Sequence, residues 1–141
     1  MQVRYLDGFK FQVEQRGHVL VTDQPRPVSG DEGMTPVELM GAALGGCVAV
    51  YAADFLTRNE IPREGLVVEV EWQSATQPNR VGAYNVVVRV PHALTERQNA
   101  SLSRLVHACT VHNTFSHPPR IDIALTTPIS DPQPGDSMPT R

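Results

Sequence analysis

Two cysteines, Cys47 and Cys109, are the side chains best suited to chemistry in this sequence. Cys47 follows Gly45-Gly46 in "MTPVELMGAALGGCVAV", and Cys109 stands between His107 and His112 in "HACTVHNTF". A thiol attacks only as the thiolate. Once oxidised to a sulfenic acid, it can be captured by a second thiol as a reversible disulfide. Three readings are open. Each cysteine can be a small core hydrophobe, the two can form a redox couple, or His107, Cys109 and His112 can join Cys47 around a metal. The last lacks a recognised zinc spacing. No Gly-x-Ser-x-Gly elbow and no phosphate-binding glycine loop occurs, which leaves hydrolase and nucleotide chemistry without a motif.

The elements that must position these thiols are legible. "VRYL", "FKFQVEQ" and "HVLVTD" alternate and are punctuated by Asp7-Gly8 and Arg16-Gly17, which predicts a three-stranded meander. Residues 24–34 read as a loop. Thr35 is a natural N-cap with Pro36 at N1, and Thr35-x-x-Glu38 is a capping box. The helix should run to about Arg58 or Asn59. "LVVEVEWQ" and "YNVVVRV" alternate as half-buried strands. Thr95-x-x-Gln98 opens a second helix, to about Cys109, with "HNTF" a short further turn and "RIDIAL" a last strand. Residues 1–127 form one domain on this reading, and residues 128–141, rich in Pro, Gly, Asp and Ser, form a disordered tail.

The first helix has no polar face. Gly41, Gly45, Ala49 and Ala52/Ala53 make a ridge of small residues, and Met40, Ala43, Leu44, Cys47, Val50 and Tyr51 make an apolar stripe on the other side. A helix apolar all round is buried all round, which a homodimer with this helix at its centre would achieve. Cys47 lies mid-helix, beyond useful reach of its own helix dipole, so its activation calls for a cation from another segment.

The 141 residues carry a net charge of −3 with no basic run, so nucleic acid is not an expected partner. The apolar run Leu39–Ala53 is short for a membrane span. Two cysteines without a secretory leader point to the cytoplasm, where a disulfide is catalytic or redox-sensing more often than structural.

"TPVELMGAALGGCVAV" resembles the first-cysteine helix of the OsmC/Ohr family, the osmotically inducible and organic hydroperoxide resistance proteins. "ACTVHNTF" resembles that family's second-cysteine segment, usually close to Cys-Pro-Val-Ser-Asn, with Thr110 here in place of the proline. The resemblance covers roughly residues 3–125 and is nearest to the OsmC-like subgroup. It implies an α/β (α+β) fold with sheets wrapping central helices in an intertwined homodimer. It also implies a thiol peroxidase that needs no bound cofactor and no metal. In that cycle Cys47 attacks an organic hydroperoxide, Cys109 resolves the product as a disulfide, and a dithiol reductant restores both. The dedicated reductases place a glutamate directly after the helix-opening proline; here Val37 occupies that place. Glu38 lies roughly 13 Å along the helix from Cys47, on its opposite side, and is accounted for by capping. The family's N-terminal arginine has Lys10, Arg4 and Arg16 as possible counterparts. The alternative from another functional class is a binding protein of the same fold, holding a small apolar ligand, with non-catalytic or regulatory thiols.

Overall fold

The computed structural model describes residues 1–127; the expected tail, 128–141, lies outside the described residues. The fold is mixed α+β. Strands β1 (Gln2–Asp7), β2 (Lys10–Gln15) and β3 (His18–Thr22) form an antiparallel sheet in the order β1-β2-β3. Arg16 and Gly17 both take positive φ at the β2–β3 turn, as a tight hairpin turn of this hand requires. Helix α1 (Pro36–Arg58) follows, then the antiparallel pair β4 (Val67–Ala75) and β5 (Arg80–Arg89), then α2 (Glu96–His107) and α3 (Thr110–Ser116).

Both capping boxes form. The Thr35 N–H donates to Glu38 Oε2 at 2.6 Å and the Glu38 N–H to Thr35 Oγ1 at 3.2 Å. Those bonds with Thr35 hold the Glu38 carboxyl below its ordinary pKa against the opposing cost of burial. Glu38 is therefore a capping residue. Thr95 and Gln98 repeat the arrangement at the start of α2.

Period-two alternation on β4 and β5 turns Val68, Val70, Tyr84, Val86 and Val88 towards the helices. Ala52, Phe55 and Leu56 of α1 pack with Leu102 of α2 in one apolar cluster, and Leu44 and Val48 pack with Cys109 in a second. The small ridge on α1 receives a strand. A Cβ on Gly45 would come within 2.8 Å of Val70 Cγ2, and one on Gly41 would touch the Trp72 ring at 3.7 Å. Close approach of β4 thus offsets the helix-propensity cost of glycine, about 1 kcal/mol per residue. By length and composition α1 could cross a membrane, but its Gly41–Leu56 side is packed on β4, β5 and α2 as a core helix is.

Met40, Ala43, Gly46 and Val50 of α1 are exposed on the single chain, so burial of this helix all round would need a second copy. The second helix ends at His107, and the break expected at Cys109 makes that residue the N-cap of α3. One expectation needs correction. Residues 120–125 form no strand, and Ile121, Ile123 and Leu125 lie open. A strand needs an edge to pair with, and within the described residues this segment reaches none.

The β1–β3 sheet stands off from the helix–sheet body, with Val3, Tyr5, Phe9 and Val19 exposed. It is tied down through the loop before α1. The buried Asp23 carboxylate accepts from the Gln24 N–H at 2.8 Å and the Glu32 N–H at 3.1 Å, and Lys10 Nζ pairs with Glu32 and Asp7 at 2.9 and 3.1 Å.

Replacing Gly45 with leucine should cost about 1–3 kcal/mol in urea unfolding, because its side chain would be forced into Val70. Gly46→Ala, with nothing within 4 Å of its Cβ in the chain, should not destabilise the single-chain fold. Equal, large losses for both variants would remove the strand-approach account of the ridge.

Candidate functional site

The break between α2 and α3 builds the site. The Ala108 N–H closes the last turn of α2 on the Leu105 carbonyl at 3.0 Å, and the chain then turns out of the helix. Cys109 takes φ −57° and ψ 134° and caps the next helix. Its sulfur accepts from the His112 N–H at 3.4 Å. Leu44 and Val48 enclose Cys109 completely from α1, and Cys47, one position before Val48, packs against the same cluster while remaining half-exposed. Both thiols are free, and they interact side by side.

Their surroundings push them apart in acidity. Burial is the largest influence on Cys47 and raises its pKa. The Cys109 S–H and the backbone N–H groups of Val111 and Thr110 favour the thiolate and together outweigh burial, leaving Cys47 below the ordinary cysteine value. Cys109 goes the other way: burial first, then donation to Cys47, hold it above the ordinary value despite the His112 and Val111 N–H groups. The pair therefore loses its first proton from the half-exposed sulfur and keeps the proton on the enclosed one. That arrangement gives one nucleophile, open to a small reagent, beside one thiol held in reserve.

The predicted cations do not supply this effect in the chain. Lys10 is held by Asp7 and Glu32, Arg4 pairs with Glu14 at 3.0 Å, and Arg16 sits at the tip of the β2–β3 turn. None is among the influences on Cys47. The donors are backbone groups at the start of α3, which sequence reasoning missed. The signal was present in the break between Cys109 and "HNTF": a cysteine that opens a helix brings that helix's unpaired N–H groups with it. His112 and His107 lie together, with the ring Nδ1–H of His112 donating to the His107 carbonyl at 2.8 Å. Among the described residues, no group of three or more His, Cys, Asp and Glu is placed to hold a metal.

The family model for OsmC-like protein matches residues 29–124, a span that contains α1, both cysteines and both strands of the second sheet. The chain belongs to the OsmC-like protein family. Solved structures share the fold at low identity. One from Psychrobacter arcticus, described as a candidate osmotic stress induced and detoxification response protein, is 20% identical with a TM-score of 0.72, over 80% of this chain and 85% of its own. An OsmC-like protein from Mycoplasma pneumoniae is 17% identical with a TM-score of 0.61, over 76% and 79%. An OsmC-like hydroperoxide resistance protein from Jannaschia sp. is 16% identical with a TM-score of 0.52, over 89% and 90%. No curated protein matches at the sequence level.

Thr110 occupies the first turn of α3, where proline is tolerated, and the extended backbone of Cys109 suits a residue before proline. Thr110→Pro should therefore fold while deleting one donor to Cys47. The pH profile of Cys47 alkylation should move to higher pH, because the thiolate loses support while the neutral thiol does not. An unmoved profile would show that the Thr110 N–H does not act on the sulfur.

Proposed function

We propose that this OsmC-like protein is a cytosolic thiol peroxidase that reduces organic hydroperoxides in peroxide defence. The observation that carries the reading is the placement of the two thiols: Cys47, half-buried on α1, packs on the cluster that encloses Cys109, and their surroundings favour the thiolate at Cys47 and the proton at Cys109. Family membership and the hydroperoxide-resistance neighbour support it.

In the proposed cycle the Cys47 thiolate attacks the terminal peroxide oxygen. The O–O bond breaks, the alkoxide leaves and takes a proton to become the alcohol, and Cys47 becomes a sulfenic acid. Cys109 then attacks the sulfenic sulfur. Its proton leaves with the hydroxyl as water, and a Cys47–Cys109 disulfide forms. An external dithiol returns both thiols to the reduced form. Low acidity at Cys109 is no obstacle to storage, and contact with Cys47 supplies the proximity that resolution needs.

The second proposal is a homodimer. Met40, Ala43, Gly46 and Val50 lie along one face of α1 at helical spacing and are exposed on the chain, as are Val3, Tyr5 and Phe9 of the first sheet and Ile121, Ile123 and Leu125 near the end. These surfaces are apolar and extensive, as an interface between copies would be. Sedimentation at micromolar concentration should give twice the chain mass; a monomer there would overturn the proposal.

Mass spectrometry after cumene hydroperoxide should show loss of two hydrogens in the wild type. Cys47→Ser should abolish peroxide consumption. Cys109→Ser should accumulate a dimedone-reactive sulfenic acid on Cys47 and stop dithiol-driven turnover. Two unmodified thiols after treatment would end the peroxidase reading.

A further inference from the structure

At the corner between α2 and α3 the backbone can be followed group by group. A helix end leaves its last carbonyls unpaired. Here the Leu105 carbonyl accepts from the Ala108 N–H at 3.0 Å and the Val106 carbonyl from the Cys109 N–H at 3.3 Å. The next two carbonyls are served by side chains of α3. The His107 carbonyl accepts from the ring of His112 at 2.8 Å, and the Ala108 carbonyl from the Asn113 side-chain amide at 3.3 Å. A carbonyl oxygen only accepts, so Nδ1 of His112 carries a proton. His112 also donates its backbone N–H to Cys109 Sγ at 3.4 Å. One residue thus ties the end of α2 to the sulfur that opens α3. Its ring packs edge-on against that of His107, with centroids 5.3 Å apart.

What this tie holds is the start of α3. Only Ala108 and Cys109 lie between the two helices, and the Thr110 and Val111 N–H groups just beyond them favour the Cys47 thiolate. Such support weakens steeply as a donor turns away from its acceptor. Neither histidine ring is among the influences on either sulfur, so a ring can act on the thiols only through the backbone it holds. We propose that His112 is a positioning residue for the thiol pair: its ring closes the corner onto the end of α2 and so keeps the first turn of α3 against Cys47. The bond survives protonation of the ring, because Nδ1 keeps its hydrogen in both charge states. This role rests on the reading of Cys47 as the attacking thiol.

Two variants separate the bond from the ring. His112→Phe keeps a flat ring and removes the donor. His112→Asn removes the ring and keeps an N–H donor, and asparagine and histidine have similar helix propensities. Iodoacetamide alkylation of the reduced full-length protein, mapped to Cys47 by peptide mass, is followed against pH, and thermal unfolding shows whether each variant is folded. His112→Phe should move the profile up by about half a pH unit, a roughly threefold slower reaction near neutral pH, with no fall in the plateau at high pH. His112→Asn should keep the wild-type profile. Should the Phe variant fail to fold, His112→Ala takes its place with the same expected shift. An unmoved profile without the donor, whatever the thermal midpoint, would overturn the role. An Asn profile displaced as far as the Phe profile would overturn it too. The readout is alkylation and not peroxide turnover, so failure here and failure of the peroxidase reading are told apart.

Discussion

The structure turns on one opposition. A sulfur placed against an apolar helix and strand pair is discouraged from ionising, and burial is the largest influence on both thiols. Directed donors can reverse that at one sulfur and not the other. The start of α3 supplies them to Cys47 as backbone N–H groups, and Cys109 adds its own S–H. Because the donors are backbone groups at a fixed turn, they need no long side chain to be ordered. The same turn places Cys109 in an enclosed position, where its proton is retained. Acidity, access and pairing of the two thiols thus follow from a single break in the chain after His107.

The remainder of the fold keeps that break in place. α1 must bring Cys47 to it, and the strand that supports α1 sits unusually close because Gly41 and Gly45 carry no side chain. Val68, Val86 and Val88 back the cluster from β4 and β5, and Val106 holds α2 against it. The Thr35–Glu38 and Thr95–Gln98 boxes set where the two long helices begin, and so fix the phase at which Leu44, Cys47 and Val48 face α3. Tyr84 and Phe115 connect the far end of α3 to β5, so the short helix is held at both ends: by sulfur at its start and by an aromatic stack near its close.

Much of this was legible in the sequence because it is local. Capping boxes, hairpin turns and period-two alternation are written in neighbouring residues, and β1 to β5, α1 and the start of α2 lie where those signals place them. The two cysteines were legible as a pair because they are the only two in the chain. What the sequence left open was non-local. A ridge of small residues admits a close neighbour without saying which element it is, and here that neighbour is β4. The expected cation was inferred from a correct premise, that the dipole of α1 cannot help a mid-helix thiol. Within the single chain, the groups that favour the Cys47 thiolate lie at the start of a different helix, seven residues long. The predicted strand at 120–125 has the right alternation, but pairing is decided by an edge outside the segment itself.

The central claim is that the chain assigns different acidities to two neighbouring thiols. Cysteine labelled with carbon-13 at Cβ reports each sulfur's ionisation separately, and a pH titration of the reduced full-length protein follows both at once. The account predicts that the Cys47 signal titrates first, below the ordinary cysteine value, and the Cys109 signal second, above it. Cys109 ionising first, or two thiols titrating together at the ordinary value, would contradict it.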